Sequence, residues 1–372
     1  MKKLVIVSNT SWSLYNFRFN LSKKIKQNEY EVILIAPYDE YSDRLSKEFE
    51  YYDIYMNNKG TNPKEDIKTT IEFYKLYKRI KPDIVLHYTI KPNIYGTIAC
   101  NLLRIKTINN IAGLGTLFIK QNFVTKIAKY LYKYSQSNAD KIFFQNSDDF
   151  KMFTSEKLVD IVKCDILPGS GVDTNKFLPV EHKKEDNIFR FLLIARMLWD
   201  KGIGEYVEAA KIIKEKYPKV EFQMLGFLDV QNNSAISKEQ MQKWIESGYI
   251  KYLGISDNVK EEISKIDCVV LPSFYREGTP RTLLESASMM KPIITTDNVG
   301  CRDVVDDGFN GYLCKIKSSK DLADKIEKML KLSLDERLEM GKRGREKMIN
   351  EFDESIVINK YLEEIKNLTG DK

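Results

Sequence analysis

The chain has 372 residues, of which 43% are hydrophobic and 30% are charged; this composition is typical of a globular protein and excludes a fibrous or disordered one. No stretch approaches 18 consecutive apolar residues and the N-terminus leads directly into a predicted strand, so we expect neither a transmembrane helix nor a signal peptide. Residues 1–180 carry 27 Lys and Arg against 19 Asp and Glu, whereas the rest carries 32 against 34. A basic first half suggests an anionic partner, although a general lysine bias of the sequence explains it nearly as well.

Cysteine and histidine are too few and too scattered for a metal site. The five cysteines form no C-x-x-C pair and are predicted to be reduced structural thiols of a cytoplasmic protein; they are Cys100, Cys164, Cys268, Cys301 and Cys314. The only histidines are His87 and His182. We therefore expect no resident metal.

The first half alternates apolar segments with helical patterns, which predicts a parallel sheet covered on both faces. The predicted strands are 3–8, 31–36, 83–87, 106–110 and 141–145. The predicted helices are 14–27, 64–80, 92–102 and 121–137. Ligands of such sheets bind beyond the carboxyl ends of the strands, here the loops 9–13, 88–93 and 112–116.

The same alternation restarts after a polar segment, 173–187, that is interpreted as a linker. The predicted strands are 189–194, 220–225, 267–271 and 292–296. The predicted helices are 203–217, 238–247, 280–290, 318–332, 334–349 and 353–367. The length also favours two domains, which we place at 1–180 and 181–352. Neither domain carries G-x-G-x-x-G, since the clusters at Gly113 and Gly202 lack the third glycine, and this disfavours a dinucleotide-dependent dehydrogenase.

The segment Leu271–Glu285, LPSFYREGTPRTLLE, combines a strand end with a helix start. Thr279 is predicted as the N-cap and Pro280 as the first helical residue. Glu277 then lies in the loop and Glu285 inside the helix, on either side of a helix N-terminus that suits an anion. Two carboxylates around an anion site suit a nucleotide-sugar, with hydroxyl groups at both ends of a diphosphate. The alternative is that both glutamates are solvated surface charges.

Two cations follow the first strand of the second half. Arg196 is predicted at the carboxyl end of that strand, and Lys201 immediately precedes a helix. Fixed cations at this position could neutralise a diphosphate and stabilise its growing charge when it leaves.

The spacing R-x4-K, followed about eighty residues later by E-x7-E, resembles the retaining nucleotide-sugar glycosyltransferases of family 4, and the resemblance covers essentially the whole chain. Other stretches resemble a subgroup that builds bacterial glycans on polyprenyl diphosphate, namely 8–18, 88–96, 110–118, 143–149, 167–177, 228–236 and 300–313. The resemblance implies the GT-B fold, two doubly wound Rossmann-like domains facing across a cleft. It also implies that helix 353–367 packs back on the first domain.

The resemblance further implies a UDP-sugar donor and roles for the donor-site residues. N-acetylgalactosamine is the expected sugar, and N-acetylglucosamine, galactose and glucose are the alternatives. Arg196 and Lys201 would hold the diphosphate, Glu277 the transferred sugar and Glu285 the ribose diol. The phosphates or sugar would meet the backbone of Gly278, Thr279, Pro280 and Arg281. The uracil would lie near Gly226, Gly254, Ile255 and Val259. The family's retention needs no enzymatic nucleophile, consistent with a sequence that shows no Ser-His-Asp or Cys-His set, and no metal or other cofactor is expected.

The acceptor is expected on the first domain, as a sugar linked to polyprenyl diphosphate. The residues assigned to it are Asn9, Thr10, Asn16, Arg18, Lys91, Asn93 and Gly115. Many family members have Gly-Gly where this chain has Asn9-Thr10-Ser11, and some use a histidine near His87, for which a structural role is the interpretation here. Lys91 is either a ligand of the acceptor's diphosphate or a solvated lysine.

Helix 121–137 could contact the inner membrane, because Lys126, Lys129 and Lys133 form one stripe and Phe123, Ile127, Leu131 and Tyr134 another. The alternative is an ordinary helix packed on the sheet. Two other functions are alternatives: a UDP-sugar epimerase of the same fold and a nucleic-acid-binding protein. Such epimerases use a cleft rich in carboxylates and histidines, and a chain with two histidines and the E-x7-E pair does not provide one. No basic element or motif supports nucleic-acid binding, so no such partner is expected.

Overall fold

The computed structural model describes residues 1–57, 62–114, 123–180, 186–228, 230, 232 and 234–370. It divides into two compact units, Met1–Ser170 with Ile356–Lys372, and Gly171–Ser355. The division at Ser170 precedes the predicted boundary at residue 180. The start of the predicted linker belongs to the second unit, where Phe177 is 5% exposed and its carbonyl accepts a hydrogen bond from Ser288.

The first unit is a seven-stranded parallel sheet with strand order β3-β2-β1-β4-β5-β6-β7. Its strands are β1 (Lys3–Val7), β2 (Glu31–Ala36), β3 (Glu50–Asp53), β4 (Ile84–Tyr88), β5 (Lys106–Ile111), β6 (Lys141–Phe144) and β7 (Cys164–Ile166). Its helices are α1 (Ser11–Gln27), α2 (Ser42–Ser46), α3 (Pro63–Ile80), α4 (Thr97–Leu103), α5 (Phe123–Ser137) and α6 (Ser147–Ser155). A π-helical turn, Pro92–Gly96, leads into α4.

The second unit is a six-stranded parallel sheet with strand order β10-β9-β8-β11-β12-β13. Its strands are β8 (Phe189–Ile194), β9 (Val220–Leu225), β10 (Lys251–Tyr252), β11 (Cys268–Leu271), β12 (Ile293–Thr296) and β13 (Gly311–Cys314). Its helices are α7 (Ile203–Lys216), α8 (Lys238–Glu246), α9 (Val259–Ser264), α10 (Arg281–Ser288), α11 (Ser319–Lys331) and α12 (Leu334–Glu351).

Both sheets are doubly wound, as predicted, and each reverses its strand order once. The reversal lies between β1 and β4 in the first unit and between β8 and β11 in the second. Apolar strands with helices on both faces bury the core on each side of each sheet. Ligands of such sheets bind where the strand order reverses, beyond the carboxyl ends of the strands.

The last helix, α13 (Glu354–Thr369), begins in the second unit and continues into the first. Its buried face carries Val357, Tyr361 and Ile365, which join the apolar core formed by α1 and the sheet of the first unit. The Tyr361 ring lies 4.9 Å from that of Phe143 in β6. The C-terminal helix therefore completes the first unit.

The sequence did not predict the short elements, which are β3, β7, β10, β13, α2, α6 and α9. None exceeds nine residues, and such segments are too short to show a clear period. Within the described residues, no helix combines the length and apolar character needed to cross a membrane. The five cysteines are all unpaired.

Candidate functional site

The loops at the reversal point of the second unit bring the predicted cations and Glu277 together. The chain leaves β8 at Arg196 and makes a 3-10 turn, Trp199–Lys201. The Lys201 ammonium forms an ion pair with Glu277, and both side chains are only 12% and 11% exposed. The ammonium also lies 5.0 Å from the centroid of the Tyr275 ring. Lys201 and Glu277 therefore act as an ion pair, whereas the sequence assigns Lys201 to the diphosphate and Glu277 to the transferred sugar.

Backbone and side-chain hydrogen bonds fix the loop that carries Glu277. The carbonyl of Asp200 accepts hydrogen bonds from the backbone N–H groups of Phe274 at 2.9 Å and Tyr275 at 2.8 Å. From the other side, the Asn298 amide donates to the Tyr275 carbonyl at 2.9 Å. The loop after β11 is thus held between the loops that follow β8 and β12.

Ser273 is a site residue that the sequence reading did not single out. Its hydroxyl is fully buried and donates a hydrogen bond of 2.9 Å to Oε1 of Glu277. It comes two residues after the last residue of β11. The rule that ligands bind at carboxyl strand ends could have identified it.

Arg196 is exposed and lies beside Tyr275. Burial raises the pKa of the Tyr275 hydroxyl, and the charge of Arg196 and its hydrogen bond to that hydroxyl oppose the rise. Arg196 is thus placed through Tyr275 on the same loop as Glu277. This exposed cation near the Lys201–Glu277 pair could meet an anionic ligand from solvent.

The start of α10 differs from the predicted one. The helix begins at Arg281 with Pro280 as the N-cap residue and no side-chain cap, so Thr279 is not the N-cap. The loop before α10 packs against Gly300. This residue has φ +75°, and a β-carbon there would overlap the carbonyl oxygen of Gly278. The backbone around Gly278 is therefore closely covered.

Glu285 lies inside α10 and pairs with Arg281 on the same helix face. Nε of Arg281 donates to Oε1 of Glu285 at 2.8 Å, and both side chains are about nine-tenths buried. Burial raises the pKa of the Glu285 carboxyl, and the Arg281 charge opposes the rise. Glu285 is therefore not one of the solvated surface charges considered as the alternative.

Two of the residues predicted near a uracil, Gly226 and Gly254, are in contact. The N–H of Gly226 donates to the carbonyl of Gly254 at 2.8 Å, and both glycines have positive φ. Ile255 is exposed, and Val259 is the first residue of α9. Gly226 admits no side chain, because a β-carbon there would overlap the Ala195 carbonyl.

In the first unit, several predicted acceptor residues have structural partners. Thr10 is the N-cap of α1 and accepts a hydrogen bond from the N–H of Ser13, so the helix begins three residues before the predicted start. The Asn16 amide donates to the Trp12 carbonyl at 2.9 Å. Asn9 is half-buried at the end of the loop after β1. Gly115 lies outside the described residues.

Lys91 is not a solvated surface lysine. Its ammonium lies 2.6 Å from Oδ1 of Asp66, and Tyr95 donates to the other oxygen of that carboxylate at 2.7 Å. The Asn93 amide donates to the carbonyl of Asn110 at 2.7 Å. The charge of Lys91 is thus matched inside the unit.

His87 has the structural role that was favoured for it. It is fully buried, and its ring nitrogens lie 3.0 Å from the Tyr77 hydroxyl and 3.0 Å from Oδ1 of Asn109. Burial lowers its pKa from 6.5 to about 4, so the ring is neutral near pH 7.

Within the described residues, no group of three or more His, Cys, Asp or Glu side chains could hold a metal ion. The neighbouring carboxylates Asp148 and Asp149 lie instead in the first turn of a helix. Asp149 is fully buried in the first turn of α6, and its N–H donates to the cap residue Asn146 at 2.7 Å.

Comparison with known proteins gives matches over both halves of the chain. Residues 3–146 match the family described as glycosyl transferase 4-like, and residues 174–347 match the family described as glycosyl transferases group 1. The chain is 29% identical to the N,N'-diacetylbacillosaminyl-diphospho-undecaprenol alpha-1,3-N-acetylgalactosaminyltransferase of Campylobacter jejuni, over 97% of each chain. It is 27% identical to the UDP-Gal:alpha-D-GlcNAc-diphosphoundecaprenol alpha-1,3-galactosyltransferase of Escherichia coli, over 82% of this chain and 79% of that one.

Solved structures resemble the whole chain. A glycosyltransferase from Rickettsia africae superposes with a TM-score of 0.81 at 19% identity, covering 100% of this chain and 99% of that one. HepE from Anabaena, solved in complex with UDP, superposes with a TM-score of 0.79 at 15% identity, covering 99% of this chain and 100% of that one. At these identities the likeness shows the fold alone.

Proposed function

Because the chain belongs to the glycosyltransferases described by the group 1 and 4-like families, with two Rossmann-like units of the GT-B fold, we propose that it transfers a sugar from a UDP-sugar to a saccharide linked to polyprenyl diphosphate. We further propose N-acetylgalactosamine as the sugar, retention at the anomeric carbon, and a role in bacterial glycan assembly. The likeness to the Campylobacter jejuni transferase over 97% of the chain supports the donor and the acceptor.

The observation that carries the proposal is the cluster of Lys201, Ser273 and Glu277 at the reversal point of the second sheet. A nucleotide-sugar needs cations at its diphosphate and a carboxylate at its sugar hydroxyl groups. We assign the diphosphate to Arg196 and Lys201, which would stabilise the charge of the departing UDP. We assign the transferred sugar to Glu277.

The remaining donor contacts are assigned to the surrounding backbone and to α10. Glu285 would accept hydrogen bonds from the ribose diol, while Arg281 holds its carboxylate in place. The uracil would lie against the backbone of Gly226 and Gly254, where the absence of side chains allows close approach. The backbone from Gly278 to Arg281 would contact the phosphates or the sugar.

For the chemical step we propose that the leaving phosphate oxygen takes the proton of the acceptor hydroxyl. The acceptor oxygen then bonds to the anomeric carbon on the face that UDP leaves, so the configuration is retained. This route uses no enzymatic nucleophile and no metal. Lys201 would compensate the negative charge that develops on the diphosphate.

We also propose that the protein associates peripherally with the cytoplasmic face of the inner membrane through α5. Ile127, Tyr130 and Tyr134 are 45%, 71% and 49% exposed on this helix, and the neighbouring Lys126 and Lys133 are exposed as well. Exposed aromatic and aliphatic groups flanked by lysines suit an anionic lipid surface. Lys129 is engaged instead by Glu156 at 2.7 Å.

The test of the activity is UDP release across a panel of UDP-sugars, with and without undecaprenyl-diphospho-diacetylbacillosamine. Acceptor-dependent release from UDP-N-acetylgalactosamine, with an α-linked product by NMR, is the expected result, and it should persist in EDTA. Release from another donor alone would overturn the choice of sugar. A free epimerised sugar nucleotide as the product would overturn transfer itself.

The membrane contact is tested by sedimentation with vesicles that contain anionic lipid. The variant Tyr130→Glu should lose binding, because it places a charge on the most exposed ring of α5. Tyr38→Glu is a matched control, since Tyr38 is 61% exposed elsewhere in the first unit. Equal binding by both variants would exclude α5 as the contact.

A further inference from the structure

Arg18 is a buried cation whose charge is not matched by a carboxylate. It lies on the buried stripe of α1 with Leu14, Leu21 and Ile25, and the residue is only 5% exposed. Among the residues that the structure describes, its one hydrogen bond is a long one, 3.4 Å from Nη1 to the Phe17 carbonyl. Within the same residues, its Nε has no hydrogen-bond partner, and no carboxylate forms an ion pair with it.

The other buried cations near the proposed sites differ from Arg18 in this respect. Lys91 pairs with Asp66, Lys201 with Glu277 and Arg281 with Glu285. A buried charge without a counter-charge is costly, and buried charges are therefore normally paired. The Tyr88 ring, whose centroid is 4.0 Å from Cζ of Arg18, offsets part of that cost through a cation–π contact. An anionic ligand would offset the remainder.

Arg18 lies at the reversal point of the first sheet. Tyr88 is the last residue of β4, and Val7 at the end of β1 pairs with His87. Ser8, the next residue, is therefore adjacent to Tyr88. It is fully buried, and its hydroxyl has no hydrogen-bond partner in the described part of the chain. Arg18 and Ser8 thus both adjoin Tyr88, at the sheet edge where doubly wound sheets bind their ligands.

The chain after β4 has two further irregularities at this point. Thr89 has φ +72°, a left-handed conformation that is uncommon for a residue other than glycine. Its buried hydroxyl has no hydrogen-bond partner among the residues described. The π-helical turn Pro92–Gly96 follows. Strained residues and π-helical turns concentrate at functional sites. Both irregularities directly follow Tyr88, whose ring contacts Arg18.

We propose that Arg18 and Ser8 form an anion site at the reversal point of the first unit, and that its ligand is the diphosphate of the lipid-linked acceptor. The guanidinium would bind phosphate oxygens, and the Ser8 hydroxyl would donate to a further one. The acceptor as ligand rests on the proposed function, whereas the anion site does not. Lys91, the other candidate for this role, has its charge matched by Asp66.

The test uses the full-length chain and the variants Arg18→Lys and Arg18→Gln. With saturating UDP present, the wild type should bind inorganic pyrophosphate in calorimetry, and Arg18→Gln should lose this binding roughly 10- to 100-fold. Arg18→Lys keeps the charge but not the planar fork and should be intermediate. Arg44→Lys is the matched control, because Arg44 is an exposed arginine of the same unit that contacts the Tyr41 ring at 4.9 Å.

Kinetics separate the ligand from a purely structural role. For both Arg18 variants we expect a raised KM for the lipid-linked acceptor with unchanged UDP affinity, and a structural role would lower Tm and leave that KM unchanged. Reduced UDP affinity would assign Arg18 to the donor's diphosphate and overturn the acceptor. A third outcome is that the wild type transfers no sugar but binds pyrophosphate, and that Arg18→Gln does not bind it. In that case the proposed function fails and the anion site stands. Unchanged pyrophosphate binding in Arg18→Gln overturns the site.

Discussion

The hydroxyl of Ser273 lies 2.9 Å from the carboxylate oxygen Oε1 of Glu277. Lys201 contacts the same oxygen. A buried hydroxyl and a cation therefore fix the orientation of this carboxylate in the loop after β11. The arrangement depends on Ser273 as much as on the charge pair that the sequence indicated.

Ser273→Ala should lower kcat about 10- to 100-fold and leave UDP affinity unchanged. Removal of one hydrogen bond to a charged group costs about 1.5–3 kcal/mol, and this bond acts on the group assigned to the sugar. Steady-state kinetics and calorimetry with UDP measure the two effects. Ser247→Ala is the control, since Ser247 is exposed in the same unit. A loss of UDP affinity equal to the loss of kcat would contradict this role.

Glu277→Ala should abolish turnover while UDP still binds, because the carboxylate is assigned to the transferred sugar and not to the nucleotide. The control is Glu339→Ala, which removes an exposed carboxylate paired with Arg343 on α12. Near-normal turnover in Glu277→Ala would remove Glu277 from the mechanism.

Arg196→Ala should weaken UDP binding by about 1.5–3 kcal/mol, the usual cost of one charge-assisted contact. Arg302→Ala is matched to it, because Arg302 is a partly exposed arginine that pairs with Asp297 in the same unit. Calorimetry measures the UDP affinity of both variants. Equal affinities for the two variants would exclude Arg196 from the diphosphate site.

Gly300→Ala and Gly308→Ala form a pair that separates steric overlap from backbone strain. Both glycines have positive φ, at +75° and +79°, but a β-carbon would overlap the Gly278 carbonyl only at Gly300. We expect about 1 kcal/mol of destabilisation at Gly308 from the left-handed conformation alone, and more at Gly300 together with weaker UDP binding. Urea unfolding and calorimetry test this, and equal effects would show that Gly278 moves freely.

Because His87 is buried, we expect the free energy of unfolding to decrease as the pH is lowered. Its pKa is 6.5 in an unfolded chain and about 4 in the folded protein, so between these values the unfolded state binds more protons. The contribution of His87 to the free energy of unfolding is therefore fully present above about pH 6.5. Lowering the pH from 7.5 to 5 should reduce it by about 2 kcal/mol. Urea midpoints measure it, and His87→Gln should remove this part of the slope. An unchanged slope in that variant would place the titration elsewhere.

The sequence predicted the two doubly wound sheets because long apolar strands alternate with helices of clear period, as at Phe189–Ile194 and Ile203–Lys216. It also placed Lys201 and Glu277 in loops around one anion site of the second domain, but it did not predict the ion pair between them. It could not predict that Asp66 pairs with Lys91, since 25 residues separate them and spacing does not report such contacts. The sequence assigns Arg18 from resemblance alone, and only the structure shows that it lies on the buried face of α1 with its Nε unpartnered among the described residues.

The C-terminal helix α13 packs its residues Val357, Tyr361 and Ile365 into the first unit, although the ribosome makes them after the entire second unit. Domains generally fold in order of synthesis. Here the first unit must keep an apolar groove along α1 uncovered until Tyr361 has been translated, while the second unit can complete its own core earlier. The order of synthesis and the order of completed folding are therefore opposite in this chain.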